Sequence, residues 1–196
     1  MPDARAATLM TMDLAEYRAL VAKVDAFFAR VHDRYGAKMR CAAGCSECCG
    51  VQLTLSPVEA EELSRHLAGL PREATARLAA RAEALRGASG PCPALEADGR
   101  CGVYAARPLI CRTHGVPMRL PRPSSLPVLE DRDSGMAVCH LNFTDVALSA
   151  VDADCVLALE SIDSILAVVN ARACGEGRDR LERIPIGDVL FSAHRP

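Results

Sequence analysis

Eight cysteines in this chain carry its most specific chemistry. Four stand within nine residues, Cys41-Ala-Ala-Gly-Cys45-Ser-Glu-Cys48-Cys49, and four more follow at Cys92, Cys101, Cys111 and Cys139. Ionised thiols are soft donors that select zinc, copper(I) or iron–sulfur clusters. The short spacing of the first group lets one loop present several sulfurs to an ion at about 2.3 Å. Neighbouring residues do not easily point at one ion, so Cys48 and Cys49 imply two metals, a bridging thiolate, or one ligand beside a bystander. Two four-ligand sites would use all eight sulfurs, and the spacing does not fix the partition. Cys155 and Cys174 lie outside the pattern and read as small buried hydrophobes.

Zinc and iron–sulfur remain open alternatives. Zinc takes four thiolates, or three thiolates and an imidazole, and contributes folding energy without redox chemistry. A [4Fe–4S] cluster also takes four cysteines. His114, three residues after Cys111, and His140, beside Cys139, are the imidazoles that can complete a mixed site; the alternative for each is a surface or capping histidine. Arg107 and Arg112 flank Cys111, and their guanidinium groups can offset the charge of a thiolate cluster or donate to its sulfurs. They read as support around a bound cofactor. Tyr104 reads as a packed aromatic.

The surrounding elements are mostly helical. Leu14 to Tyr35 places apolar residues at helical spacing, and Gly36 is a stop. Val51 to Leu55 alternates like a short strand. Ser56-Pro57-Val58-Glu59 is a helix start, with a cap, a proline for the first turn and the acid of a capping box. That helix runs to about Leu70, and a second from Arg72 to about Arg86. Cys92 to Tyr104 reads as a hairpin about Asp98-Gly99, with a type I′ turn. Ala105 to Cys111 fits one helical turn. Residues 117–135 read as loop with two short strands, Met118–Leu120 and Pro127–Leu129, followed by Cys139 and a linker. A long helix from about Asp154 to Ala173 ends at Gly175 and Gly177, and the tail from Ile184 to Phe191 packs back on the body.

The combined pattern resembles the cysteine-cluster proteins described as zinc- or iron-chelating, the CxxCxxCC type. The pieces that carry the likeness are Cys41 to Cys49, Cys92-Pro93-Ala-Leu95, Asp98-Gly99-Arg-Cys101-Gly-Val103-Tyr104 and Arg107-Pro108-Leu-Ile-Cys111-Arg112. The likeness spans about residues 41–140 and implies metal binding, without one agreed activity. Similar cysteine motifs occur in flagellin lysine-methylating enzymes, where an iron–sulfur cluster is implied. The chain departs from the family motif at Glu47, where glycine is common, and at Thr113-His114, where Tyr-Pro often follows.

The bulk numbers are those of a soluble protein. The chain has 196 residues, half of them apolar and only 4% aromatic, so its core is built from Ala, Leu and Val. With a formal net charge of −2 and no arginine block, a nucleic-acid surface is not indicated. No secretory signal or membrane span is read, which sets a cytoplasmic expectation. Thiols stay reduced there, against a disulfide framework. The expected architecture is mainly α: one helical domain over residues 1–196, with a loop-rich cysteine region at about 41–140, a small β-hairpin, and flanking helices at about 14–35 and 154–173. The expected function is metal binding through Cys41, Cys45, Cys48, Cys49, Cys92, Cys101, Cys111 and Cys139, serving redox, metal handling or structural support. An iron–sulfur enzyme with a small-molecule cosubstrate and a zinc-stapled interaction module are the alternatives. The chain has no P-loop, no dinucleotide fingerprint and no hydrolase or zincin motif. Metal ions are the expected partners, and no protein partner is legible.

Overall fold

A computed structural model of the chain describes residues 12–119, 128–131, 135–176 and 178–193. The expected strand ends at Leu120 and Pro127, the stop at Gly177, and the first ten residues, read for a leader, lie outside them. Helix α1, Ala15–Tyr35, forms where the apolar spacing predicts it and buries Tyr17, Leu20, Val24 and Val31. Strand β1, Thr54–Leu55, is shorter than expected. Helix α2, Pro57–Ala68, starts on the predicted capping box. Glu59 Oε2 accepts from the Ser56 N–H at 3.0 Å and from the Ser56 hydroxyl at 2.8 Å. Helix α3, Arg72–Ala84, follows.

The region predicted as one helical turn at Ala105–Cys111 is split. A 3₁₀ turn covers Tyr104–Ala106, and helix α4 covers Leu109–Thr113. Pro108 is the cause. The residue before a proline is pushed out of the helical region, and Arg107 is extended at φ −58°, ψ 140°.

A mixed sheet was not anticipated. Strands β2 (Met118–Arg119), β3 (Val128–Asp131), β4 (Met136–Cys139) and β5 (Leu157–Ala158) lie in the order β3-β4-β2-β5. The β2–β4 and β3–β4 pairs are antiparallel, and β2–β5 is parallel. Cys139 therefore ends a strand rather than preceding a linker. The long helix α5, Leu159–Cys174, begins later than expected. The residues ahead of it are drawn into the sheet, where the Leu157 N–H donates to the Pro117 carbonyl at 2.8 Å. Strand β6, Ile184–Pro185, pairs antiparallel with β1, and helix α6, Ile186–Ser192, packs on α3 as the tail prediction requires.

Three apolar clusters result. One joins α2, α3, α6 and the hairpin through Leu63, Leu67, Leu78, Val103, Ile186 and Leu190. A second seats Val31 of α1 against Val116, Val138, Phe143 and Leu157 around the sheet. The third joins α1, α2, α4 and α5 through Tyr17, Leu20, Val58, Leu109 and Val169. The fold is mainly α with a small hairpin, as the sequence predicts. No helix of the described residues is long and apolar enough to cross a membrane.

Candidate metal centre

The first cysteine loop is a run of tight turns. Cys45 N–H donates to the Ala42 carbonyl at 3.0 Å, and Cys49 N–H to the Ser46 carbonyl at 2.8 Å. A 3₁₀ turn, Glu47–Cys49, carries the adjacent pair. The hairpin docks onto this loop at two points. Cys92 N–H donates to the Cys49 carbonyl at 2.7 Å. A β-carbon on Gly99 would sit 3.1 Å from the Gly44 carbonyl oxygen.

The hairpin turn is not the predicted type I′, which needs positive φ at both central residues. Gly99 has φ +80°, while Phe143 alone among the described non-glycine residues has positive φ. Glu96 and Arg100 pair across the turn at 2.7 Å, and Gly99 N–H donates to the Glu96 carbonyl at 3.1 Å. A three-residue loop of this kind closes on a type I turn with a left-handed residue at its end.

Helix α4 brings Cys111 to the same end. Its start is held by Glu59, whose second oxygen accepts the Leu109 N–H at 3.1 Å. The capping acid of α2 thus also positions the helix bearing Cys111, a role the local sequence pattern does not reveal.

On the other side stand Cys41 and Cys139, joined through Asn142. The Asn142 side chain donates to Cys41 Sγ at 3.2 Å and to the Gly115 carbonyl at 2.6 Å, and accepts the Arg40 N–H at 2.7 Å. Its own N–H donates to the Cys139 carbonyl at 2.8 Å. Asn142 is fully buried, and nothing in the sequence singled it out. His114 is buried here too, and its Nε2 has no hydrogen-bond partner. His140 is more exposed, with Nε2 3.7 Å from Glu47 Oε1.

The electrostatics divide the sulfurs into two neighbourhoods. Burial pushes the Cys92, Cys101 and Cys111 thiols up, and each also feels Cys48. Cys48 donates to Cys49, which raises Cys48 and lowers Cys49; Cys49 in turn feels Cys92, Cys101 and Cys111. Burial also raises Cys41, which feels Cys139, Cys45 and Cys48, and it raises Cys139, which feels Cys45 and Cys48. Cys48 lies between the two groups. Against burial, a backbone N–H two residues along the chain draws each of Cys92, Cys101 and Cys139 down: that of Ala94, Val103 and Leu141 respectively. Such donors favour the thiolate, the form that ligates a metal.

The two arginines part company. Arg107 stacks on Tyr104, 3.8 Å from the ring centroid, and its charge lowers Cys48 and Cys101. Arg112 is buried and turned to α1. It reaches Asp25 at 2.7 and 2.9 Å and the Arg107 and Ala105 carbonyls at 2.9 and 2.6 Å. Cys155 is buried in the sheet-side cluster, and Cys174 lies near Asn170 Oδ1 at 3.7 Å.

The donor set fits zinc or iron: soft sulfurs, backbone donors facing them, and an orphaned buried imidazole nitrogen. Among the described residues no three His, Cys, Asp or Glu side chains converge tightly enough to form a ready-made cradle. Ligands that must be drawn together by the ion are expected where binding and local folding are coupled.

The model of the CxxCxxCC family, described as a "putative zinc- or iron-chelating domain", matches residues 40–126. The resemblance drawn from the cysteine spacing is thereby borne out over that stretch. Seven of the eight patterned cysteines lie inside it, and Cys139 lies beyond it. No curated protein and no solved structure matches the chain.

Proposed function

We propose that this protein binds zinc or iron through a thiolate centre drawn from Cys41, Cys45, Cys48, Cys49, Cys92, Cys101, Cys111 and Cys139, with Arg107 at its edge. One observation carries the reading. Segments distant in the chain are tied together at their cysteines: Asn142 joins the Cys41 sulfur at 3.2 Å to the Cys139 carbonyl at 2.8 Å, and the Cys92 N–H donates to the Cys49 carbonyl at 2.7 Å. A cluster of thiols repels its own ionisation, and a bound cation reverses that balance. Cys45 is exposed. A ligand reached by solvent exchanges readily, which favours metal handling over a sealed electron-transfer centre. The sharing of α1 between two apolar clusters supports one domain.

A cleft of about 660 Å³ favours a second reading, an iron–sulfur enzyme with a small cosubstrate. Its lining includes Ile110 and Thr113, either side of Cys111 on α4, together with Asp163 of α5. The test is on anaerobically purified full-length chain: zinc, iron and acid-labile sulfide per chain, with an absorption spectrum. Stoichiometric zinc or iron supports the metal-binding reading, and iron matched by sulfide with a brown colour moves the weight to the enzyme. Protein that retains neither metal sinks both.

A further inference from the structure

Resting on the thiolate reading above, we propose that His114 completes a mixed sulfur–nitrogen site with Cys41, Cys45 and Cys139, separate from an all-sulfur site around Cys92, Cys101 and Cys111. His114 is only 8% exposed, and its Nε2 is buried without a partner. Buried polar atoms are almost always paired, so an unpaired one calls for an explanation such as an ion.

The backbone beside His114 borders the Cys41 and Cys139 side of the centre. Gly115, the next residue, backs directly onto Cys41: a β-carbon there would lie 2.5 Å from the Cys41 sulfur. Asn142 bridges the Gly115 carbonyl and the Cys41 sulfur, while its backbone is tied to Cys139. The His114 segment is therefore held between Cys41 and the end of β4.

The count of donors agrees. Cys49, Cys92 and Cys101 pack in one cluster, with the Cys92 N–H on the Cys49 carbonyl at 2.7 Å, and Cys111 makes a fourth sulfur for an all-sulfur site. Cys41, Cys45 and Cys139 are then one donor short of the tetrahedron that zinc prefers. His140 is the rival, but its Nε2 already faces Glu47 at 3.7 Å, on the outside. The ligand class is a tetrahedral divalent ion of zinc type. Its neighbours are three sulfurs at about 2.3 Å and one nitrogen at about 2.0 Å.

The test loads the full chain with zinc and counts ions by mass spectrometry under native conditions, with X-ray absorption at the zinc edge. Wild type is expected to bind two ions and to show imidazole scattering. His114→Ala is expected to bind one. His114→Cys, which restores a fourth donor and keeps the fold testable, is expected to bind two and lose the imidazole signal. His140→Ala is expected to keep both ions and the signal. Imidazole scattering that survives in His114→Cys, or two ions on a folded His114→Ala, would overturn this site alone. Wild type that takes up no zinc would overturn it together with the thiolate reading.

Discussion

Asn142 donates to the Cys41 sulfur at 3.2 Å, 101 residues away along the chain. Its other donor and its acceptor are equally committed, to Gly115 and Arg40. Asn142→Ala removes all three bonds and leaves the buried Gly115 carbonyl without a partner. Leaving a buried group unsatisfied costs about 1–3 kcal/mol. The expected outcome is a loss of that size in urea unfolding, with reduced metal retention. Unchanged stability and metal content would show that the bridge positions nothing.

Gly115 cannot be replaced cheaply. Its φ of +103° disfavours any side chain, and a β-carbon would overlap the Cys41 sulfur at 2.5 Å and crowd Asn142 Nδ2 at 3.2 Å. Strained backbone of this kind costs about 1–3 kcal/mol. Gly115→Ala should therefore lower the melting temperature and displace Cys41. Slower alkylation of Cys41 than in wild type, with an unaltered melt, would contradict the contact.

Cys45→Ser should lower bound metal, because an alcohol is a poor substitute for a thiolate on zinc or iron. The same change at Cys174 should leave metal content alone, since Cys174 lies on α5 near Asn170. Elemental analysis of the two variants decides it. Equal losses in both, or none in Cys45→Ser, would break the division of the cysteines.

Helices α1, α2 and α3 were legible because each follows a local rule: apolar spacing in α1, the Ser56–Glu59 box in α2, and the Pro71 break before α3. Of the sheet, β2 and β3 form where short strands were expected, but β4, β5 and the pairing were not legible, because these strands span only two to four residues and their partners are distant in sequence. The cysteines stood out by type and spacing. Their supports did not, because Asn142 is a single asparagine in a loop and Glu59 already had a local explanation as a cap. Arg112 shows the same limit, since adjacency to Cys111 suggested a partner for sulfur, while the helical turn aims its side chain at Asp25.

Arg112 is accordingly a brace. Its fork binds Asp25 on α1 and two carbonyls, and a lysine has one compact charge in place of that fork. Asp25 is about half exposed, so solvent screens part of the ion pair. Arg112→Lys is expected to cost roughly 1 kcal/mol, from the charge-assisted hydrogen bonds lost to the Ala105 and Arg107 carbonyls. Denaturant unfolding measures this. A change within a few tenths of a kcal/mol would remove Arg112 from the account of how α4 is held.

The pH response should reverse sign with metal. Burial raises the Cys41, Cys92, Cys101, Cys111 and Cys139 thiols, and Cys48 is raised by donating to Cys49; Cys49 alone is lowered. A group whose pKa is raised on folding keeps its proton after the unfolded chain has lost it. Its contribution is complete below the unfolded thiol value of about 8.5 and is lost as pH rises beyond it. Protein kept in chelator and reductant should therefore melt at lower temperature as pH climbs above about 8.5. Metal-loaded protein holds its sulfurs as thiolates, so protons compete with the ion and stability falls on the acid side instead. Thermal melts of both forms across the neutral and alkaline range test this. If both lose stability in the same direction, the buried thiols are not the groups that bind the metal.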